Sequence, residues 1–286
     1  MSTAFTFSRS IYISDIPAPA KSVGAHLAAK LQCFGTDERT LTDELCDMLC
    51  IWLGIENGFP SSPHTGIAAF TITLSKTTSY EEVINGADLE LIISSPLGTK
   101  RCLIQAKVLE PSSGKLRCNS TAGWEKLRTQ LAKARADVKD LAFLLVYVPG
   151  AFLNGHHYGY GTYEQGHMPK PKGRKEAFFG ATLIAADNLL DNDDHWLDTK
   201  EKVPQPFNGT FKSGIPLWRF LMELLLCRRS TWSSEPSTGA DRRMPALRTL
   251  SIGATDVSVG QWQEFQQSAD QWLPNENDVG DDGNKA

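Results

Sequence analysis

The stretch GADLELIISSPLGTKRCLIQAKVLEP, residues 86–111, holds two apolar runs around a short turn, and polar residues interrupt each run. Asp88 and Glu90 interrupt the first, Gln105 and Lys107 the second. Side chains alternate across a strand. In the first run Leu89, Leu91 and Ile93 share one face, and Asp88, Glu90 and Ile92 share the other. In the second, Cys102, Ile104 and Ala106 share one face, and Leu103, Gln105 and Lys107 the other. The unbroken apolar sets must face the core of one sheet, so the four polar residues are expected together on the opposite face. With PLGT as the turn, Ser95 stands opposite Lys100. Glu90 then faces Gln105 and Asp88 faces Lys107, with Cβ atoms about 5 Å apart. A one-residue slip would expose the apolar set.

Two chemistries fit such a face. One is a solvated surface with a cross-strand Asp–Lys pair, nearly neutral in energy. The other is a cluster aimed at one point. Hard cations such as magnesium, or manganese in its place, take oxygen ligands and leave positions for water and phosphate. A neighbouring lysine orients or deprotonates the attacking water and offsets developing phosphate charge. The set therefore suits metal-assisted hydrolysis of a phosphodiester.

The chain around this hairpin has 286 residues, 41% of them hydrophobic and 22% charged, with a formal charge of -4. That is enough to bury a full-sized core and argues against coating nucleic acid by bulk charge. No apolar run approaches the roughly 20 residues of a membrane span. The N-terminus lacks a basic region followed by an apolar core, so no secretory signal is expected. Cys33, Cys46, Cys50, Cys102, Cys118 and Cys227 form no paired framework, which points to a reducing cytoplasm, and the lack of a long apolar run points to no membrane partner. Cys46 and Cys50 lack the second pair that a zinc site needs.

Residues 1–22 read as an extended lead-in, with IPAPAK, and 23–232 as a single α/β domain. From Ser22 to Leu53 the chain is helical, with Leu41, Leu45, Met48, Leu49, Trp52 and Leu53 in one apolar stripe. Residues 67–75 alternate as a strand. Residues 121–139 form an amphipathic helix through Trp124, Leu127, Leu131, Ala134 and Val138. The apolar run 141–149 predicts a strand buried on both sides. A Gly/His/Tyr/Lys loop fills 153–175, another strand begins near Gly180, and PLWRFLMELLLCRR predicts a helix from Pro216. Residues 233–286 are a polar C-terminal segment whose last dozen residues are expected to be disordered. The order predicts helices around a central mixed β-sheet.

Asp88 followed by QAK (Gln105, Ala106, Lys107) in the next strand resembles the PD-(D/E)xK nuclease superfamily, over roughly residues 36–148. GAD stands in place of the leading proline, and Gln105 replaces the acid before xK, as in the Mrr-type branch associated with restriction and phage defence. ERTLTDEL, GADLEL, LIQAKVLEP and PLWRFL resemble an uncharacterised bacterial family of such nuclease-like proteins, which brings no activity with it. The superfamily resemblance implies a restriction-endonuclease-like core and a magnesium-dependent endonuclease. DNA is a more natural substrate than RNA, and a homo-oligomer is a common assembly. It implies further that Asp88 binds the metal, Gln105 ligates through its side-chain oxygen and Ala106 through its carbonyl, and Lys107 acts on the water. A glutamate of the first helix completes such sites. Glu38 and Glu44 each lie three residues from Leu41, and ExxLTD favours Glu38. Glu90 would serve a second metal.

Residues 100–139 carry ten Lys/Arg against three Asp/Glu. Lys126, Arg128 and Lys133 on the helix, with Lys172 and Arg174 in the loop, are candidates for contact with nucleic acid. Gln130 is a further candidate from the Mrr-type resemblance. The loop histidines His156, His157 and His167 have no metal-ligand spacing. Two rivals to the nuclease stand: a nuclease fold without catalysis that binds nucleic acid or partners, and an unrelated α/β enzyme with an exposed hairpin.

Overall fold

The helical stretch is two helices, because FGTD breaks it. In the computed structural model, which describes residues 4–11, 17–55, 68–76, 87–112, 116–118, 120–150, 180–197, 214–225, 246–255 and 258–269, α1 spans Pro17–Phe34 and α2 spans Glu38–Ile55. Gly35 sits at φ +60°, and its N–H reaches the Leu31 carbonyl at 3.0 Å, the left-handed helix stop that favours glycine. Asp37 then caps α2, accepting from the Thr40 N–H at 3.0 Å and the Thr40 hydroxyl at 2.6 Å. These bonds, the hydroxyl's foremost, hold the Asp37 carboxyl below its usual range. IPAPAK is not extended: α1 starts at Pro17, since proline is tolerated in a first helical turn.

Eight strands are described: β1 (Ala4–Ile11), β2 (Ala68–Lys76), β3 (Ala87–Ser95), β4 (Gly98–Val108), β5 (Ala142–Tyr147), β6 (Ala181–Ala185), β7 (Ile215–Pro216) and β8 (Ala246–Thr255). They form one mixed sheet in the order β1-β2-β8-β3-β4-β5-β6-β7. β8 runs parallel to β3 and β5 parallel to β4, and all other neighbours are antiparallel. Three further helices follow in the chain: α3 (Thr121–Val138), α4 (Leu217–Leu225) and α5 (Val259–Ala269). None of the described helices is long and apolar enough to cross a membrane.

Helices cover both faces of the sheet. On one, Leu27 and Leu31 of α1, Leu41, Leu45 and Leu49 of α2 and Phe220 of α4 pack against Leu89, Ile93, Ile104, Phe143 and Leu250. On the other, Trp124, Leu127, Leu131 and Ala134 of α3 pack against Leu103, Ala142, Leu144 and Val146. All six residues of β5 are buried, as its continuous apolar run predicts.

Three further readings change. The hairpin pairs Ser95 with Gly98 and Glu90 with Leu103, so its turn is Pro96-Leu97, two residues tighter than PLGT, with Gly98 at φ +133°. A slip of two keeps every side chain on its face, so the alternation holds while the cross-strand partners do not. The polar face is also not solvated: Glu90 and Gln105 are buried under the layer that α3 builds. Finally, the polar C-terminal segment contains β8, which lies between β2 and β3, and the lead-in contains β1, paired with β2. The loop 153–175, the side chains of Trp52 and Leu53, Cys227 and the last dozen residues lie outside the described residues.

Candidate functional site

The pairing of β3 with β4 ends at Leu89↔Ile104, and beyond it a side chain takes over from the backbone. The Asp88 carboxylate accepts the Ala106 N–H at 2.7 Å and a bond from Gln105 Nε2. Both fall on Oδ2. With its amide nitrogen committed to Asp88, Gln105 presents Oε1 as a buried acceptor without a hydrogen-bond partner. A buried orphan of this kind costs about 1–3 kcal/mol unless a donor or cation meets it.

Lys107 stands two residues farther along β4, on the same face. Its ammonium donates to both oxygens of Glu38, each at 2.9 Å. Burial works against the charge of Lys107, but Glu38 and Asp88 outweigh it and hold the ammonium above its ordinary value. Lys107 is thus a fixed cation, suited to orienting water or offsetting phosphate charge and not to taking a proton. Asp88 moves the other way. Burial first, then the nearby charge of Glu38, push its carboxyl up to about 7, against the opposing pull of Lys107 and the Ala106 N–H.

Glu38, Asp88, Gln105 and Lys107 therefore come together in the middle of the sheet, where β3 begins and β4 nears its end. The first turn of α2, which carries Glu38, is held from below. Tyr147 donates to Thr42 at 3.0 Å, and Thr42 donates to the Glu38 carbonyl at 2.8 Å. Cys118 adjoins the site, close enough for its titration to respond to Lys107 and Glu38. Burial pushes its thiol up to about 11, so it stays protonated at neutral pH.

The other candidates stand elsewhere. Glu44 lies on α2 nearly two turns beyond Glu38 and pairs with His26 at 2.7 Å and with Lys30, bridging to α1. Glu90 is fully buried, and both of its oxygens are engaged within the fold, one by Arg101 at 2.5 Å and the other by Thr249 at 2.8 Å. Arg101 passes the charge on to Asp137 of α3 at 2.8 Å.

The basic excess over residues 100–139 is largely spent within the fold. Lys100 is buried, and Arg117 pairs with Glu110 at 2.8 Å. Arg128 pairs with Glu125 at 2.9 Å and bonds the Asp194 carbonyl at 2.8 Å. Arg135 binds the Leu190 carbonyl at 3.1 Å and Asp194. Lys126 and Lys133 stay exposed on α3, where Gln130 is half-buried, and Lys172 and Arg174 lie outside the described residues.

As a donor set, two carboxylates, an amide oxygen and the Ala106 carbonyl match what a hard divalent cation takes. Among the described residues no three His, Cys, Asp or Glu side chains form a group that could hold a metal ion. Sequence reading missed Arg248, Thr42 and Tyr147 behind the site. Only Arg248 left a signal, a charge in phase with Leu250 and Ile252 on an apolar strand face. Compared with known proteins, no family model matches the chain, and neither does any curated protein or solved structure.

Proposed function

We propose that the chain is a magnesium- or manganese-dependent nuclease with a restriction-endonuclease-like core, acting on DNA. The observation that carries this reading is the orphaned Gln105 Oε1 beside two carboxylates and a lysine. Asp88, Gln105 Oε1 and the Ala106 carbonyl would hold the cation, with Glu38 at its border. When bound, such a cation supplies Lewis acidity toward a phosphodiester. Lys107, kept protonated by Glu38 and Asp88, orients the attacking water and offsets charge on the phosphate. Glu38 holds that ammonium through both oxygens. Exposed Lys126 and Lys133 offer contacts to the backbone of the nucleic acid.

The test is cleavage of plasmid DNA with and without Mg2+ or Mn2+. Cleavage is expected to need the ion and to fall at least about a hundredfold in Asp88→Ala and Lys107→Ala, both still folded by circular dichroism. Intact activity in both variants sinks the assignment.

One observation favours a second reading, a nuclease fold without catalysis that binds nucleic acid or partners. Lys107 and Glu38 already satisfy each other, and Gln105 supplies one negative charge fewer than an acid would. That protein would bind nucleic acid with steep salt dependence and no response to either ion.

A further inference from the structure

Arg248 reaches the site from a strand that follows it in sequence by 160 residues. It lies on β8 in phase with Leu250 and Ile252, on the face that α2 covers, and is 1% exposed. Its guanidinium donates to three acceptors on two elements: Asp43 Oδ1 at 2.5 Å, the Arg39 carbonyl at 3.0 Å and the Asp88 carbonyl at 3.3 Å. The first two belong to the opening turns of α2, the element that carries Glu38. The third belongs to the very residue that would hold the cation.

We infer that Arg248 is a positioning residue, pinning the turn that carries Glu38 to the start of the strand that carries Asp88 so that the two carboxylates converge. Its effect on metal uptake rests on the reading above; the mechanical coupling does not. The planar fork of arginine suits three acceptors around one plane, where the ammonium of lysine is a single point of charge. An arginine serving only to neutralise Asp43 would have no need of the Asp88 carbonyl. Groups that orient metal ligands from behind are commonly worth about ten- to a hundredfold in affinity.

The test compares full-length wild type, Asp88→Ala, Arg248→Lys and the double variant Arg248→Met/Asp43→Asn. The double variant removes the guanidinium without stranding the Asp43 charge, and keeps the test open where loss of the arginine alone unfolds the chain. Two readouts are taken: amide hydrogen exchange without metal, and Mn2+ binding by calorimetry. In the folded Arg248 variants, exchange is expected to accelerate jointly over residues 38–45 and 87–92, with α3 and β5 unchanged, and the Mn2+ Kd to rise about ten- to a hundredfold. Acceleration that is absent, global or confined to one segment overturns the inference, as does an unchanged Kd. A wild type that binds no Mn2+ overturns the metal reading instead, and the exchange comparison then decides the coupling alone.

Discussion

Asp88 holds its proton more tightly in the folded protein than in the unfolded chain, from an ordinary 3.8 up to about 7. The sign follows from linkage. The folded state binds more protons between these values, so the stability that Asp88 contributes is complete below about pH 4 and lost as pH rises through about 7. Asp88→Asn keeps an acceptor for the Ala106 N–H and removes the titration. Its stability relative to wild type is expected to climb by about 2–4 kcal/mol between pH 4 and pH 8, measured from urea midpoints. An equal difference at both pH values would contradict this placement of Asp88. The residue types were legible in the sequence, since alternation alone set Asp88, Gln105 and Lys107 on one face. Their states were not. Whether a carboxylate is charged depends on burial and on Glu38, fifty residues away, and neither is a local property.

At the scale of elements, α2 delivers Glu38, and Asp37 caps the turn it sits in. Asp37→Ala is expected to cost about 1 kcal/mol at pH 7. Because the carboxyl of Asp37 is held below its usual range, the cap's contribution is present above about pH 4 and fades as the pH falls further. Chemical denaturation of both proteins at pH 7 and pH 3 should show the gap closing. The cap was written in FGTD, yet the helical period on either side of the break runs on well enough to read as one helix. The hairpin has the same character. Its period of two was clear, but its register was out by two residues, because turn length depends on backbone geometry at Pro96-Leu97-Gly98 that composition alone does not specify.

For the molecule as a whole, β8 matters most. It pairs with β2 on one side and β3 on the other, and it brings Arg248 to the site and Thr249 to Glu90. A chain stopped after Pro245 is expected to lose cooperative thermal unfolding and its near-ultraviolet dichroism, because β3 would lose its parallel partner and Asp43 and Glu90 a buried partner each. A truncated chain that still melted sharply would show the strand to be dispensable. Alternation and helical period determined the α/β class, the two-sided burial of β5 and the face shared by Asp88, Gln105 and Lys107, because each of these depends on residues close together in the chain. The tertiary structure alone decided that β8 lies inside the sheet, that Glu38 and not Glu44 reaches Lys107, and that Glu90 and most of the described basic residues of 100–139 are spent on contacts within the fold. The reason is physical: a buried charge takes whatever partner the strand order and helix packing bring to it, and for Arg248 and Asp43 that partner lies 205 residues away.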